Sequence, residues 1–489
     1  MKNNTYTCID IGSYEIKLLV CNFREDRLFV LTQKTVNSMG IERGQITNFD
    51  KLVSQIKKIK DLAEADLKQT LKNLIITMSP TAAMLESVIG RINLDIKSQI
   101  ESANIRQLFH QVMEQPHSET HLPVGLVPRC FKIDENQIVQ NPRGLFGMNL
   151  GIEAQRILMP TTVITNIVHA VEAADFTVDE IIVGSISEAL LSLETPEMYA
   201  RTCHINVGHS LTTITVINDG RVLYARSQFN GGRDITRAIS ERFNISEQLA
   251  DELKINYGKV ILDESEALDA QVIYIDNSTE TGSYITRGML NDVITEQTVE
   301  LFKRVKDHIV NDLRLREQEY HYVLTGGTAE LPNILHALKS QLPMIATIYR
   351  PSMLGIRNSK FSSIVSVGIF GHELNLLLDL KNEEQDPDFI IDMHAQPSVN
   401  ITADPDALML NLKQIEKMAQ PSNDMKLRAD SQVESVEKND FKDHEIEETN
   451  DEIAAEVANE DEYMDQKLGN SGMLVRFLDK IFNENDEES

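Results

Sequence analysis

Short apolar runs separated by turn residues open the chain. Thr5–Asp10, Glu15–Phe23 and Arg27–Val36 each read as a strand, and Asp10-Ile11-Gly12-Ser13 and Arg24-Glu25-Asp26-Arg27 are short enough to be hairpin turns. The period then changes. Leu52, Ile56, Ile59 and Leu62 recur at helical spacing within Asp50–Leu67, and Asn73–Met78 returns to a strand. Three strands, a helix and a strand make one α/β half. From Leu85 to about Met159 the pattern predicts short strands, one helix near Ile100–Met113, and a loop holding Pro142, Gly144 and Gly147, hence a small inserted subdomain. Thr161–Ala174 reads as an apolar helix, and Glu180–Leu193 as a strand followed by a helix.

A second start then repeats the first. Cys203-His204-Ile205-Asn206-Val207-Gly208-His209-Ser210 parallels Cys8-Ile9-Asp10-Ile11-Gly12-Ser13. Thr212–Ile217 and Arg221–Ser227 follow as hairpin strands about Asn218-Asp219-Gly220. A later strand, His321–Thr325, runs into Gly326-Gly327-Thr328 and a helix from about Pro332. Two similar halves, each opening strand–turn–strand, predict a duplicated α/β fold with a cleft between two lobes. After Leu380 the chain is rich in Asp, Glu, Asn and Gln with few aromatics, so residues 381–470 are expected to be an acidic disordered linker.

Charge sharpens this division. Between Lys381 and Ser489 there are 29 acidic and 10 basic residues, a charge of −19, which leaves −9 of the total −28 for the body. With no basic stripe, nucleic acid is excluded as a partner. Cys8, Cys21, Cys130 and Cys203 form no CxxC pair and read as buried small hydrophobes in a reducing compartment. The N-terminus leads straight into a strand, and no apolar run approaches 18 residues, so neither export nor a membrane span is expected.

The candidate chemistry lies in the glycine turns. A strand ending in Asp10-Ile11-Gly12-Ser13 places backbone N–H groups and a hydroxyl where they can cradle phosphate oxygens, and Asp10 can order water around Mg²⁺. Gly208-His209-Ser210, with Thr212 and Thr213 beyond, can clasp the phosphates from the other side. Gly326-Gly327-Thr328 can let a nucleoside approach its backbone. Three ordinary loop turns are the alternative.

At the far end, Leu474, Val475, Phe477, Leu478, Ile481 and Phe482 gather on one face of a helix over 472–482, opposite Arg476, Asp479 and Lys480. Its place after a long tether favours a membrane surface, with docking on protein as the alternative. Only two basic residues and the acidic tip Glu484, Asp486, Glu487 and Glu488 make a lone copy a weak binder, whereas several copies on one assembly bind far better.

In the order and spacing of these motifs the chain resembles the actin, Hsp70 and sugar-kinase superfamily, and within it the bacterial cell-division family FtsA. Besides Asp10–Ser13, Asn206–Thr212 and Gly326–Thr328, the resemblance rests on Gly40–Asn48, Asn141-Pro142-Arg143-Gly144, Gly231–Thr236, Asp251-Glu252-Leu253-Lys254 and Tyr257-Gly258. It implies an actin-like duplicated ATPase fold: a first lobe in three pieces (1–81, 162–200 and 346–380) interrupted by an inserted subdomain at 82–161. The second lobe comprises 201–225 and 316–345 around a subdomain at 226–315, and the linker and terminal helix (471–489) follow. It implies ATP and Mg²⁺ as cofactors, contacted by Asp10, Gly12, Ser13, Asn206, Gly208, Ser210, Thr212, Gly326, Gly327 and Thr328, with Asp251 and Lys254 on ribose and base.

The resemblance also implies partners: the C-terminal tail of the tubulin-like FtsZ, further copies of the chain, other division proteins, and membrane lipids held by Leu474, Phe477, Leu478, Ile481 and Phe482. The helix from Arg287 resembles the family's FtsZ-docking helix, with Arg287, Leu290 and Ile294 as contacts, and Gln297 stands where the family has a second arginine. Location at the septum, on the cytoplasmic membrane face, follows. Two departures stand out. Asn206 replaces the acid that usually opens the second phosphate loop, and His209 takes a glycine position. Nucleotide binding with feeble hydrolysis is therefore expected. A small-molecule kinase or phosphatase on the same fold and a pilus-type actin-like assembly protein are the competing functions.

Overall fold

The structure is a computed structural model that describes residues 5–379 apart from 25–26, 135–136, 194–197, 199, 263–269, 277–282 and 343–344. The linker and the terminal helix at 472–482 lie outside the described residues.

The first lobe is built on strands β1 (Thr5–Ile11), β2 (Glu15–Arg24), β3 (Arg27–Asn37), β6 (Asn73–Met78) and β11 (Thr177–Val183), in the order β3-β2-β1-β6-β11. β1, β2 and β3 pair antiparallel, and β6 and β11 add on parallel. Between β3 and β6 lie the small strands β4 (Ile41–Glu42) and β5 (Gln45–Ile46) and helix α1 (Phe49–Leu67). Asn48 caps α1 by accepting from the Lys51 N–H, and Leu52, Ile56, Ile59 and Ala63 form the face it buries.

The second lobe repeats this plan. Strands β12 (Arg201–Val207), β13 (Thr212–Asn218), β14 (Arg221–Gln228), β17 (His321–Thr325) and β18 (Ala346–Ile348) lie in the order β14-β13-β12-β17-β18, with the same directions at every step. The duplication read from the two strand–turn–strand starts is present in three dimensions. One boundary moves: β18, expected in the returning first-lobe segment, pairs with β17 in the second lobe.

Between β6 and helix α3 (Thr161–Glu172) sits the inserted domain. Its sheet is β7 (Met84–Gln99), β10 (Phe146–Pro160), β8 (His121–Ile133) and β9 (Gln137–Val139), in that order, covered by α2 (Ser102–Met113). The strands expected to be short are long, at 16, 13 and 15 residues for β7, β8 and β10. Arg143 ties the insert to the body by donating to the Leu376 carbonyl at 2.9 Å.

Helix α4 (Gly184–Leu191) follows β11. Helices α5 (Gly232–Phe243), α6 (Glu247–Tyr257) and α7 (Arg287–Asp307), the hairpin β15 (Val272–Asp276) and β16 (Ser283–Thr286), and α8 (Ile334–Gln341) complete the second lobe. The chain returns to the first lobe as α9 (Ser362–Leu378), which packs on α4, β1, β2 and β6. Contrary to the sequence reading, Ser359–Leu378 is long and apolar enough to cross a membrane, but most of it is buried against these elements, as a core helix is. Three apolar clusters centre on the first lobe, the second lobe and the insert, and the first extends onto Ile217, Val222, Ala225 and Val323 of the second lobe. All four cysteines are free and buried, as expected.

Candidate functional site

Both lobes aim a glycine turn at the cleft. The Gly12 N–H donates to the Glu15 carbonyl at 3.1 Å, and its second-lobe equivalent Gly208 donates to Leu211 at 2.9 Å. A side chain at Gly12 would meet the Glu15 oxygen at 2.9 Å, and one at Gly208 the Leu211 oxygen at 3.1 Å. The third loop needs glycine for another reason. Gly326 has φ +93°, and a Cβ there would lie 2.5 Å from the Val207 carbonyl oxygen.

The second and third loops meet within the second lobe. The Gly208 carbonyl accepts from the Thr328 hydroxyl at 3.1 Å and from the Gly232 N–H at 2.9 Å. A Cβ on Gly232 would sit 2.4 Å from the Thr328 Oγ1. Beside this glycine cradle, Lys254 Nζ donates to the Gly232 carbonyl (3.1 Å) and to Asp251 (2.7 Å). Burial opposes ionisation of Asp251, but Lys254 and the hydroxyls of Tyr14 and Thr236 outweigh it and hold its pKa below the ordinary carboxylate value. Of the sequence-predicted residues, Gly208, Asp251, Lys254, Gly326 and Thr328 thus come together.

Others are already engaged. Asp10 accepts from Lys17 Nζ at 2.8 Å. Burial disfavours the Lys17 ammonium, yet Asp10 at its side, with Glu15 and Glu188 near, leaves its pKa above the usual lysine value. The Ser13 hydroxyl accepts from the Arg43 N–H at 3.0 Å. Arg43 and Gly44, both with positive φ, form the two-residue turn joining β4 to β5, which presents Arg43 to the first loop. Thr212 is fully buried with its hydroxyl on the Asn230 carbonyl at 3.0 Å, so it packs rather than faces a ligand. Ser210 differs: its buried Oγ has no hydrogen-bond partner among the described residues.

Three functional candidates were not read from the sequence. Glu188 on α4 is fully buried, and its carboxylate accepts from Asn206 Nδ2 at 2.8 Å and from the Ser362 hydroxyl. Burial pushes its pKa up to about 7, against the hydrogen bonds from Ser362, Asn206 and Thr325. The signal was a lone acid in the apolar helix Gly184-Ser185-Ile186-Ser187-Glu188-Ala189-Leu190-Leu191. Tyr14, next to the first loop, donates from its hydroxyl to Asp251 at 2.7 Å across the cleft. Its ring lies 4.9 Å from that of His209 on the second loop. Above them Glu42 pairs with Arg233 at 2.7 Å, again between lobes. Burial, then Lys254, lowers the His209 pKa, and Asp251 pulls the other way.

The glycine cradle beside Asp251 and Lys254 fits the nucleoside side of a nucleotide, with the three Lys254 N–H groups already spent on Gly232, Thr236 and Asp251. The phosphate side fits less well as arranged. Rings 4.9 Å apart leave no layer between them for a phosphate, whose oxygens need about 3 Å to each donor. Asp10 is paired and Asn206 is neutral, so the residues here offer Mg²⁺ no carboxylate without a partner.

The partner-docking reading also changes. Leu290 and Ile294 are fully buried in the second-lobe core and present no surface. Arg287, at the start of α7, donates to the Tyr257 carbonyl at 3.0 Å. Exposed apolar side chains on α6, the β15–β16 hairpin and α7 include Ile255, Tyr257, Val272, Tyr274, Tyr284 and Met289.

Two family models match in chain order. Residues 84–158, the inserted domain, match the SHS2 domain inserted in FtsA, and residues 203–366, in the second lobe and on into α9, match cell division protein FtsA. Over both stretches the chain is similar to the FtsA family. A cell division protein FtsA of Enterococcus hirae is 24% identical over 403 residues, covering 82% of this chain and 91% of that protein. One from Bacillus subtilis is 23% identical over 368 residues, covering 75% of this chain and 83% of its own length. Among solved structures, the PilM–PilN type IV pilus biogenesis complex aligns with a TM-score of 0.52 at 13% identity, covering 75% of this chain and 98% of that one. That likeness bears on the fold, which is actin-like, and not on the function. The chain is an actin-like cell-division homologue of the FtsA type.

Proposed function

We propose that this FtsA-family chain is a scaffold that ties the FtsZ ring to the cytoplasmic membrane face at the septum. It assembles with further copies of itself and helps bring in later division proteins. The observation that carries this reading is the inserted domain at 84–158 standing before a second lobe of the same family type. An adenine nucleotide binds between the lobes, its nucleoside on Gly326–Thr328, Asp251 and Lys254, and turnover is feeble because Asn206 supplies no carboxylate. The FtsZ tail docks beside Arg287 on the exposed Met289, Tyr257, Tyr274 and Tyr284, a mixed cationic and aromatic surface suited to an acidic peptide.

Membrane attachment is assigned to residues 472–482. A helix this short is unstable in water, and burying one apolar face in lipid offsets the cost of ordering it. In vesicle sedimentation of the full chain, Phe477→Glu is expected to abolish binding and Arg476→Glu to weaken it modestly. Sedimentation of Phe477→Glu at the wild-type level would assign that apolar face to protein instead.

A further inference from the structure

We propose that Tyr14 bolts the cleft shut in the ligand-free chain by taking, with its own hydroxyl, the Asp251 carboxylate that a ribose would use. This rests on the reading that the cleft binds an adenine nucleotide. Tyr14 leaves the first lobe at the tip of the β1–β2 hairpin, directly after Ser13, and reaches Asp251 on α6 of the second lobe at 2.7 Å. Asp251 is held for this contact: its other oxygen accepts from Lys254 at 2.7 Å and from Thr236 at 2.9 Å. The acceptor is therefore ionised and fixed, the condition under which a hydroxyl donor binds most strongly.

His209 completes the bolt. It is the residue after Gly208, and its ring packs at 4.9 Å against Tyr14, so the two phosphate-loop tips meet through side chains. One residue thus contacts both the second loop and the helix expected to hold the ribose. A nucleotide spanning those two places competes with Tyr14 for both. Tyr14 is 42% exposed, so its ring can swing outward without unpacking a core. The Glu42–Arg233 pair closes the same mouth, but both of its partners are exposed and screened by water, whereas the Asp251 side chain that Tyr14 holds is only 13% exposed.

The test uses the full-length protein with one dye on each lobe, through Lys58→Cys on α1 and Glu241→Cys on α5. Both positions are exposed and the described native cysteines are buried. Energy transfer without nucleotide, and affinity for a fluorescent ATP analogue, are measured for wild type and for Tyr14→Phe. The phenyl ring keeps the packing on His209 and loses only the bond to Asp251. Tyr14→Phe is expected to lower the ligand-free transfer and to bind the analogue roughly tenfold more tightly, the fold-change of one hydrogen bond to a charged group. Unchanged transfer overturns the bolt, and so does equal affinity in two proteins that both bind. If neither binds the analogue, the nucleotide reading falls, and the transfer change alone decides whether Tyr14 closes the cleft. Tyr14→Ala, which removes the ring as well, must open the cleft at least as far as Tyr14→Phe.

Discussion

The two lobes share a sheet order and a strand–turn–strand start, yet their loop-bearing strands end differently. In the first lobe Asp10 stands opposite Lys17 on the neighbouring strand, and the two form an ion pair at 2.8 Å. At the matching place in the second lobe Asn206 stands opposite Thr213. The lysine has no counterpart there, and the Thr213 hydroxyl shares a hydrogen bond with that of Ser227 at 2.7 Å. The carboxylate beside Asn206 comes instead from the other lobe, as Glu188. The first lobe satisfies its acid internally, whereas the second borrows one across the hinge. A duplicated frame therefore does not carry duplicated chemistry, and Asn206 is the donor that a buried carboxylate requires rather than only a lost acid.

Three changes probe this asymmetry. Asn206→Asp should have the largest effect, because two carboxylates 2.8 Å apart in a buried site cannot both ionise. Urea denaturation at alkaline pH is expected to show a loss of roughly 3–5 kcal/mol, the scale of an uncompensated buried charge.

The second effect is a pH slope. Glu188 has a folded pKa of about 7 against an ordinary 4.5, so between these values the folded state binds more protons than the unfolded one. Stability from this group is full below about pH 4.5, falls as pH rises to about 7, and is level above, a total of roughly 3 kcal/mol. Glu188→Gln should remove this slope from the difference between wild-type and variant stability curves. An identical slope in the variant would place the titration elsewhere.

Asp10→Asn should cost less, about 1–3 kcal/mol, because it leaves Lys17 short of its partner in a site that water still reaches. A loss as large as that of Asn206→Asp would erase the difference between the lobes.

What was legible in the sequence was local. β6 and β17 fall where the apolar runs put them, because short strands are specified by neighbours, and α7 begins at Arg287, where the family resemblance put it. The inserted domain and its helix were read correctly, but its strands were expected to be short because Pro123, Gly125 and Pro128 break the pattern of β8. In the sheet Pro123 and Pro128 sit at register shifts against β10, and β9 covers only Phe131–Ile133, so neither proline interrupts a continuous ladder. Leu290 and Ile294 were readable as core, since with Val293, Leu301, Phe302 and Val305 they form the buried stripe of α7. The bonds of Tyr14 to Asp251 and of Glu188 to Asn206 were not readable, because only the packing of one lobe on the other creates them.

The amide of Asn206 on the second lobe is matched to the Glu188 carboxylate on the first, and it is this matching that stabilises the pair. Combining Glu188→Gln with Asn206→Asp tests it directly, since the exchange restores one amide and one carboxylate with their positions reversed. Urea denaturation of the four proteins in the cycle should show the double variant recovering most of the stability that Asn206→Asp loses. A double variant that has lost the sum of the two single changes would contradict the claim.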